Sequence, residues 1–246
     1  MSGHSKWSTI KRKKGANDAA RAKVFTKLAR EISVAVKEGG ADPNNNARLR
    51  DLLAKGRAAN VPQDNLMRAI KKAGDNDKEN YESITYEGYG NGGIAVIVEC
   101  LSDNRNRTAS NIRHYFDKFG GNMGTSGCVM FMFDYFGVII IEKEDVDEEK
   151  LMEDAIECGA IDFITDDEDI YEIRTDANDL GAVTADLEAK GYTFVSSETA
   201  YIPQTYTRLE DEDSMKNMTK MLDMFEENDD IQGVWHNWEN EDEYEG

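Results

Sequence analysis

The chain has 246 residues, of which 39% are hydrophobic and 32% are charged, and its formal net charge is −20. This composition is typical of a soluble, core-forming chain rather than a disordered one, and the length is enough for roughly two or three compact domains. No stretch reaches the ~20 apolar residues that span a bilayer and no signal-peptide pattern is visible, so we expect a cytoplasmic protein without a membrane partner.

The positive charge is concentrated at the start of the chain. Residues 1–72 hold 17 basic and 6 acidic side chains, a net charge of +11, whereas the remaining residues have a net charge of −31. A split of this size is expected when one part of a protein faces a polyanion and the rest does not. We therefore expect a partner such as nucleic acid.

Residues 1–14 precede any apolar periodicity, and we predict that they form a basic arm. The basic and aromatic side chains of this arm are Lys6, Trp7, Lys11, Arg12, Lys13 and Lys14. Lysine and arginine neutralise phosphates with release of counterions, and an aromatic ring can stack on an unpaired base or wedge into a groove. The arm is thus a predicted nucleic-acid contact; the alternative is a solvated, disordered tail.

Three amphipathic helices are predicted after the arm. The first is marked by Phe25, Leu28, Ile32 and Val36 and ends at Gly39-Gly40, the second is marked by Leu49, Leu52 and Leu53 and ends near Asn60, and the third runs from Pro62 to Gly74. Helical spacing of these apolar residues and short connections predict a small three-helix bundle. Together with the arm, the bundle makes a predicted domain at residues 1–76.

Four basic residues of the first helix are further candidates for phosphate contacts: Arg21, Lys23, Lys27 and Arg30. The last three share one face of the helix, away from its apolar stripe. The alternative is an ordinary solvated face, which leaves unexplained why acidic residues are scarce here and dense elsewhere.

Beyond residue 80 the pattern changes to strands alternating with helices. Strands are predicted at 81–89, 94–101 and 128–133 around a helix at 108–119, followed by a β-α-β-β-α-β series over 137–202, a helix at 213–228 and a strand at 233–238. The series has the order of a ferredoxin-like fold. We predict an α+β, multidomain protein in which a ferredoxin-like domain (136–203) is inserted into a discontinuous α/β domain (77–135 plus 204–246).

Arg105 and Arg107 lie in a predicted loop between a strand and a helix, with Thr108 as the expected helix cap. Guanidinium groups at a helix N-terminus can cradle a phosphate or an RNA backbone. The alternative is salt bridging to the protein's own abundant acids, and the sequence leaves the two equally open.

One glycine-rich segment precedes the predicted strand 94–101, and another follows the predicted helix 108–119. The segment 88–93 matches the G-x-G-x-x-G pattern, but it leads into a strand rather than a helix, so we predict a hairpin turn and not a dinucleotide site. The segment 120–127 follows the helix, and we predict a helix stop and a flexible surface loop there.

Residues typical of catalysis are sparse and scattered. The three histidines are isolated, and Cys100, Cys128 and Cys158 are widely spaced without a CxxC pair. Each cysteine lies in or beside an apolar run, which predicts reduced, buried thiols. We predict no enzyme, no metal site and no cofactor.

Nine short motifs resemble those of the YebC/PmpR-like regulators. They are GHSKW (3–7), KRKK (11–14), FTKLAREI (25–32), GGADP (39–43), N-x-P-x-DN (60–65), RAIKK (68–72), YEGYG (86–90), DNRNRT (103–108) and GGNMG (120–124). The resemblance implies three domains around a cleft, no known enzymatic activity, and regulation linked to nucleic acid. The family pattern has proline where Asn91 stands, which implies a looser loop, and a basic residue near Tyr135-Phe136, where this chain has none.

Members of that family are described as DNA-binding transcriptional regulators or as translation factors at the ribosome, including a mitochondrial translational activator. We predict a non-enzymatic, nucleic-acid-binding regulator, with a DNA-binding transcriptional regulator first and a ribosome-associated factor that binds ribosomal RNA as the alternative. An enzyme with an anionic ligand in an α/β cleft is the more distant alternative. The sequence predicts no obligate small molecule and leaves the oligomeric state open.

Overall fold

The computed structural model describes residues 18–74 and 80–244, without the side chains of residues 18–22 and Ala58. Its helices are α1 (Asp18–Gly39), α2 (Ala47–Ala58), α3 (Gln63–Gly74), α4 (Arg105–Lys118), α5 (Glu148–Glu157), α6 (Leu180–Ala189) and α7 (Glu212–Glu227). Its strands are β1 (Glu82–Tyr89), β2 (Ala95–Ser102), β3 (Asn122–Met123), β4 (Phe133–Glu142), β5 (Asp162–Ile164), β6 (Ile170–Asp176), β7 (Ser196–Pro203) and β8 (Ile231–His236). The predicted α+β class is confirmed.

Helices α1 to α3 form the predicted bundle. The apolar stripes meet in a core of Leu28, Ile32, Leu49 and Leu66, each at most 2% exposed. The buried Asn46 joins α1 to α2, because its Oδ1 accepts the N–H of Leu49 (3.0 Å) while its amide donates to the Ala35 carbonyl (2.7 Å). One asparagine thus caps the second helix and satisfies the end of the first.

The first sheet has the strand order β3-β1-β2-β8. Strands β1 and β2 form an antiparallel hairpin, and β8 pairs antiparallel with β2, so the C-terminal part of the chain completes this sheet as predicted. Helices α4 and α7 pack on it through Phe116 and Phe225, whose ring centroids are 5.3 Å apart at an edge-on angle of 63°. The predicted hairpin turn is confirmed as a single 3-10 turn at Asn91–Gly93.

The second sheet has the order β5-β6-β4-β7, which is the ferredoxin-like arrangement of a βαββαβ chain. Helices α5 and α6 cover one face, where Leu151 and Leu187 pack against Ile139 and Ile141 of β4. Residues Phe133–Ile202 form a compact unit. In the sequence this unit is inserted between β3 and α7. The division of the rest into a separate bundle domain and an α/β domain stays a prediction.

Three local predictions around α4 and the second glycine segment are wrong. Asn104 rather than Thr108 caps α4, so Arg105 and Arg107 lie in its first turn and not in a loop. Asn122 and Met123 pair with β1 within a segment expected to be a flexible loop, although Gly120 (φ +80°) does end the helix there. The predicted strand 128–133 is instead a 3-10 turn at Met130–Met132 followed by β4.

Candidate nucleic-acid interface

The folded parts of the chain differ strongly in charge. Residues 18–74, with the three-helix bundle, hold 12 basic and 6 acidic side chains, a net charge of +6. Residues 133–202, the ferredoxin-like unit, hold 4 basic and 21 acidic side chains, a net charge of −17. A polyanion is therefore attracted by the bundle and repelled by the inserted unit.

The predicted arm lies outside the described residues. This applies to Lys6, Trp7, Lys11, Arg12, Lys13 and Lys14, and the side chain of Arg21 at the start of α1 is likewise not described. Their contacts with nucleic acid stay a prediction.

The basic face of α1 divides into two environments. Lys23 and Lys27 are half-buried on the helix. Arg30 turns inward, where its Nη1 donates to Asp230 Oδ1 (2.5 Å) and to the Leu101 carbonyl (3.2 Å), and its guanidinium lies 5.4 Å from the centre of the Tyr81 ring. Arg30 thus connects the bundle to strand β2.

The carboxylate of Asp230 is the centre of a buried polar cluster, which we call the Asp230 cluster. Arg107 Nη2 donates to both of its oxygens (2.9 and 3.1 Å), and Thr108 Oγ1 donates to Oδ2 (2.8 Å). Arg107 also pairs with Asp103 at 2.8 Å. Burial by itself would raise the pKa of the Asp230 carboxyl, but the hydrogen bonds from Arg107, Arg30 and Thr108 hold that pKa below its ordinary value.

The structure therefore brings Arg30 and Arg107 together on one carboxylate, although 77 positions separate them in the sequence. For Arg107 the internal salt bridge is formed, and the side chain still keeps 45% of its surface exposed. Arg105 is also exposed, and its backbone carbonyl accepts the Tyr86 hydroxyl (3.3 Å). Whether these arginines touch phosphates stays a prediction.

Sequence reasoning missed Asp230. It stands in an acid-rich stretch, Glu226–Asp230, where nothing in the local pattern distinguishes it from its solvated neighbours. Only the pairing of β8 with β2 places it beside Leu101, whose N–H donates to the Asp230 carbonyl (2.7 Å). Its 4% exposure separates it from Asp229, which is exposed.

Further basic side chains are spread over α2 and α3. Arg50, Arg57, Arg68 and Lys71 are exposed. Two others are paired with acids of α1, Arg48 with Glu38 (2.6 Å) and Lys55 with Glu31 (3.3 Å). The bundle thus carries its positive charge on several helices rather than on one.

A second buried carboxylate organises the segment after β3. Glu87, 2% exposed, accepts the backbone N–H groups of Gly127 (2.5 Å), Val129 (2.9 Å) and Met130 (2.8 Å). The N–H groups of Val129 and Met130 are taken by this side chain, and those of Cys128 and Met132 by turn carbonyls at Thr125 and Val129, so these four donors are not available to a sheet ladder. This is the physical reason for the absence of the predicted strand there.

Glu87→Gln should destabilise the protein by about 1–2 kcal/mol, because a neutral amide accepts more weakly and its NH₂ group faces buried N–H donors. Urea unfolding of the variant should show this loss beside Glu82→Gln, a matched change at an exposed position of the same strand. Equal stabilities of the two variants would mean that the Glu87 charge does not hold the segment.

Two models of one protein family together match nearly the whole chain. The family model described as the TACO1/YebC protein N-terminal domain matches residues 5–76, and the one described as the TACO1/YebC second and third domain matches residues 81–238. The chain belongs to the TACO1/YebC family. The resemblance seen in the nine sequence motifs is confirmed.

Relatives of this family member are found in several bacteria. A protein of Ruminiclostridium cellulolyticum is 57% identical over 247 residues (100% of this chain, 99% of that protein), and one of Finegoldia magna is 55% identical over 242 residues (98% and 100%). Both are named "Probable transcriptional regulatory protein". The crystal structure of a conserved hypothetical protein from Aquifex aeolicus matches with a TM-score of 0.81 at 42% identity, covering 90% of this chain and 91% of that one.

Asn91 stands where the resemblance in the sequence motifs implied a proline. Its side-chain amide donates to the Phe119 carbonyl (2.8 Å), and its Oδ1 accepts the Ser214 hydroxyl (3.0 Å). These two bonds fasten the turn between β1 and β2 to the end of α4 and to the start of α7. A looser loop was expected here, and the structure shows two side-chain hydrogen bonds that hold this turn to its neighbours.

The thiols of this TACO1/YebC member are poorly suited to nucleophilic chemistry. Burial, with the nearby acids Asp230 and Glu99, raises the pKa of Cys100 to about 12, and burial also raises the pKa values of Cys128 and Cys158. All three cysteines are free, and the predicted burial holds for Cys100, whereas Cys128 and Cys158 are only half-buried. Within residues 18–74 and 80–244, no three His, Cys, Asp or Glu side chains are grouped to hold a metal ion, and no helix is long and apolar enough to cross a membrane.

Proposed function

We propose that this TACO1/YebC member is a non-enzymatic regulator of gene expression that binds nucleic acid through its basic N-terminal region. The observation that carries the proposal is the separation of charge between folded parts, with +6 on residues 18–74 and −17 on the inserted unit 133–202. The basic arm before the bundle adds five more positive charges. A polyanion is attracted by the basic region and repelled by the inserted unit.

A DNA-binding transcriptional regulator is the first form of this proposal, and it is supported by the name that the relatives from Ruminiclostridium and Finegoldia carry. In that form the arm and α1 contact backbone phosphates through Lys11–Lys14, Lys23 and Lys27. Arg30 acts indirectly, since its pairing with Asp230 fixes α1 on the α/β part of the chain. Arg105 and the exposed part of Arg107 offer a second contact surface.

The alternative form is a ribosome-associated translation factor that binds ribosomal RNA. The spread of exposed basic residues over α2 and α3 favours this alternative. Basic side chains on several helices can contact the phosphate backbone of a folded RNA at several points, whereas contact with the bases of duplex DNA places one element in one groove. An enzyme acting on an anionic ligand is a third candidate, and stoichiometric binding of a phosphorylated metabolite would support it.

The experiment compares two targets for the full-length protein. Gel shifts on duplex DNA are run beside co-sedimentation with ribosomes, each at salt concentrations from 50 to 300 mM. Neutralisation of about five phosphates predicts a slope of log affinity against log salt near −4 to −5 on duplex DNA. Tight, salt-sensitive binding to duplex DNA alone supports the transcriptional regulator, and such binding to ribosomes alone supports the translation factor. A flat slope on both targets contradicts the premise that the basic region neutralises phosphates.

A further inference from the structure

Phe131 is the most exposed of the large hydrophobic side chains in the described part of the chain. It keeps 70% of its surface accessible, at the centre of the 3-10 turn Met130–Met132. Its neighbours on either side in the sequence behave differently, since Val129 is fully buried and Phe133 is 7% exposed. Covering a ring of this size removes apolar surface from water, so a partner that packs on Phe131 gains binding energy.

The exposure of Phe131 is not that of a loose loop. The Glu87 carboxylate holds the N–H groups of Val129 and Met130, immediately before the ring. On the other side, the Met132 carbonyl accepts the N–H of Gln204 (2.9 Å). Hydrogen bonds therefore hold the backbone on both sides of Phe131, and this ordered backbone places the ring in solvent.

The surroundings of Phe131 in the sequence are neutral. Residues 119–133 contain no charged side chain, in a chain of which 32% is charged. The exposed residues shortly before it, Thr125, Ser126 and Gly127, are small and uncharged. The segment itself offers no acid that would repel a polyanion, although the exposed Asp134 of the inserted unit follows it directly. A single ring among small, uncharged residues suits a flat partner better than the apolar core of a protein–protein contact.

We propose that Phe131 stacks on an unpaired base of the nucleic acid that the basic region binds. The inference rests on the proposed function. It narrows the class of nucleic acid that is bound, because stacking on Phe131 needs a base that is not paired in a duplex. Each base–aromatic stack strengthens binding without neutralising a phosphate, so it leaves the salt dependence unchanged. The preferred target is then a single strand, a loop or an end.

The test uses the full-length protein and one oligonucleotide sequence in four forms: single-stranded RNA, single-stranded DNA, and the duplex of each. The single strands carry 2-aminopurine, whose fluorescence falls on stacking. The variants are Phe131→Ala and the conservative Phe131→Trp. Ile156→Ala, which removes a side chain that is 61% exposed in the ferredoxin-like unit, is the matched control.

Phe131→Ala should weaken single-strand binding about 5- to 100-fold and abolish the protein-induced quenching, with the duplex affinity changed less than about 2-fold. Phe131→Trp and Ile156→Ala should bind as the wild type does, and all slopes against salt should agree. The RNA and DNA arms show which strand supplies the base. Wild-type single-strand affinity in Phe131→Ala overturns the stacking proposal alone, whereas wild-type protein that binds none of the four forms overturns the proposed function with it.

Discussion

Replacing Asp230 by alanine is expected to destabilise the folded protein by about 3 kcal/mol, because it removes one partner of a buried ion-pair cluster. The carboxylate is 4% exposed and receives hydrogen bonds from Arg30, Arg107 and Thr108. Its loss leaves Arg30, whose side chain is only 18% exposed, without its anion. Arg107 is 45% exposed and can rehydrate, which places the cost at the lower end of the range for such changes.

Urea denaturation monitored by circular dichroism measures this loss. The matched control is Asp229→Ala, which deletes the same side chain at the adjacent, exposed position and should change the stability by less than about 0.5 kcal/mol. If both variants unfold at the same urea concentration, the Asp230 cluster does not stabilise the fold.

The same carboxylate gives the stability a dependence on pH. The pKa of Asp230 is lower in the folded protein than its ordinary value of 3.8, so the folded state favours the charged form. Its contribution is present above that ordinary value and is lost as the pH falls through the lower, folded value. Asp230→Asn should therefore lose less stability than the wild type on acidification below pH ~4.

Local periodicity was enough to predict most of the fold. Helical spacing of Leu28, Ile32 and Val36 predicted α1, and the order of strands and helices over 137–202 predicted the ferredoxin-like unit. Both signals come from residues that stay within one element and share its buried face. The structure confirms the class, the bundle and the insertion.

The errors arose where distant side chains decide the backbone. The apolar run 128–133 has the composition of a strand, but Glu87, some forty positions earlier, takes the N–H groups that a strand would use. Thr108 has the chemistry of a helix cap, but its hydroxyl lies beside Asp230, and Asn104 caps α4 instead. Such competition depends on tertiary contacts that no local window contains.

The positive charge of the candidate interface could be predicted from the sequence, but the ion pair between Arg30 and Asp230 could not. The net charge of +11 over residues 1–72 follows from counting, whereas the partner of Arg30 lies 200 positions away. An arginine on a helix face looks the same in sequence whether it meets solvent, a phosphate or a buried acid. The pairing with Asp230 makes Arg30 a structural link, which leaves the arm as the part of the basic region on which affinity should depend most.

Replacing Lys11, Arg12, Lys13 and Lys14 together by alanine should lower the affinity for nucleic acid by two to three orders of magnitude, on the order expected at 0.1 M salt for the loss of four phosphate contacts. Each contact releases counterions, so the slope of log affinity against log salt should become shallower by about 3 to 4. Fluorescence anisotropy over a salt series measures both quantities. Urea unfolding should be unchanged, since these residues precede the apolar core of the bundle.

The control for the arm removes the same charge elsewhere. Lys118, Lys150, Lys216 and Lys220 are exposed residues of the two α/β parts, and their replacement by alanine gives the same net charge of −24. If general electrostatic attraction governed binding, both fourfold variants would lose affinity alike. A loss confined to the arm variant, with the control keeping the wild-type slope, requires that phosphates be held at the arm itself. Equal slopes in the arm variant and the wild type would instead show that the contacts lie on the helices α1 to α3.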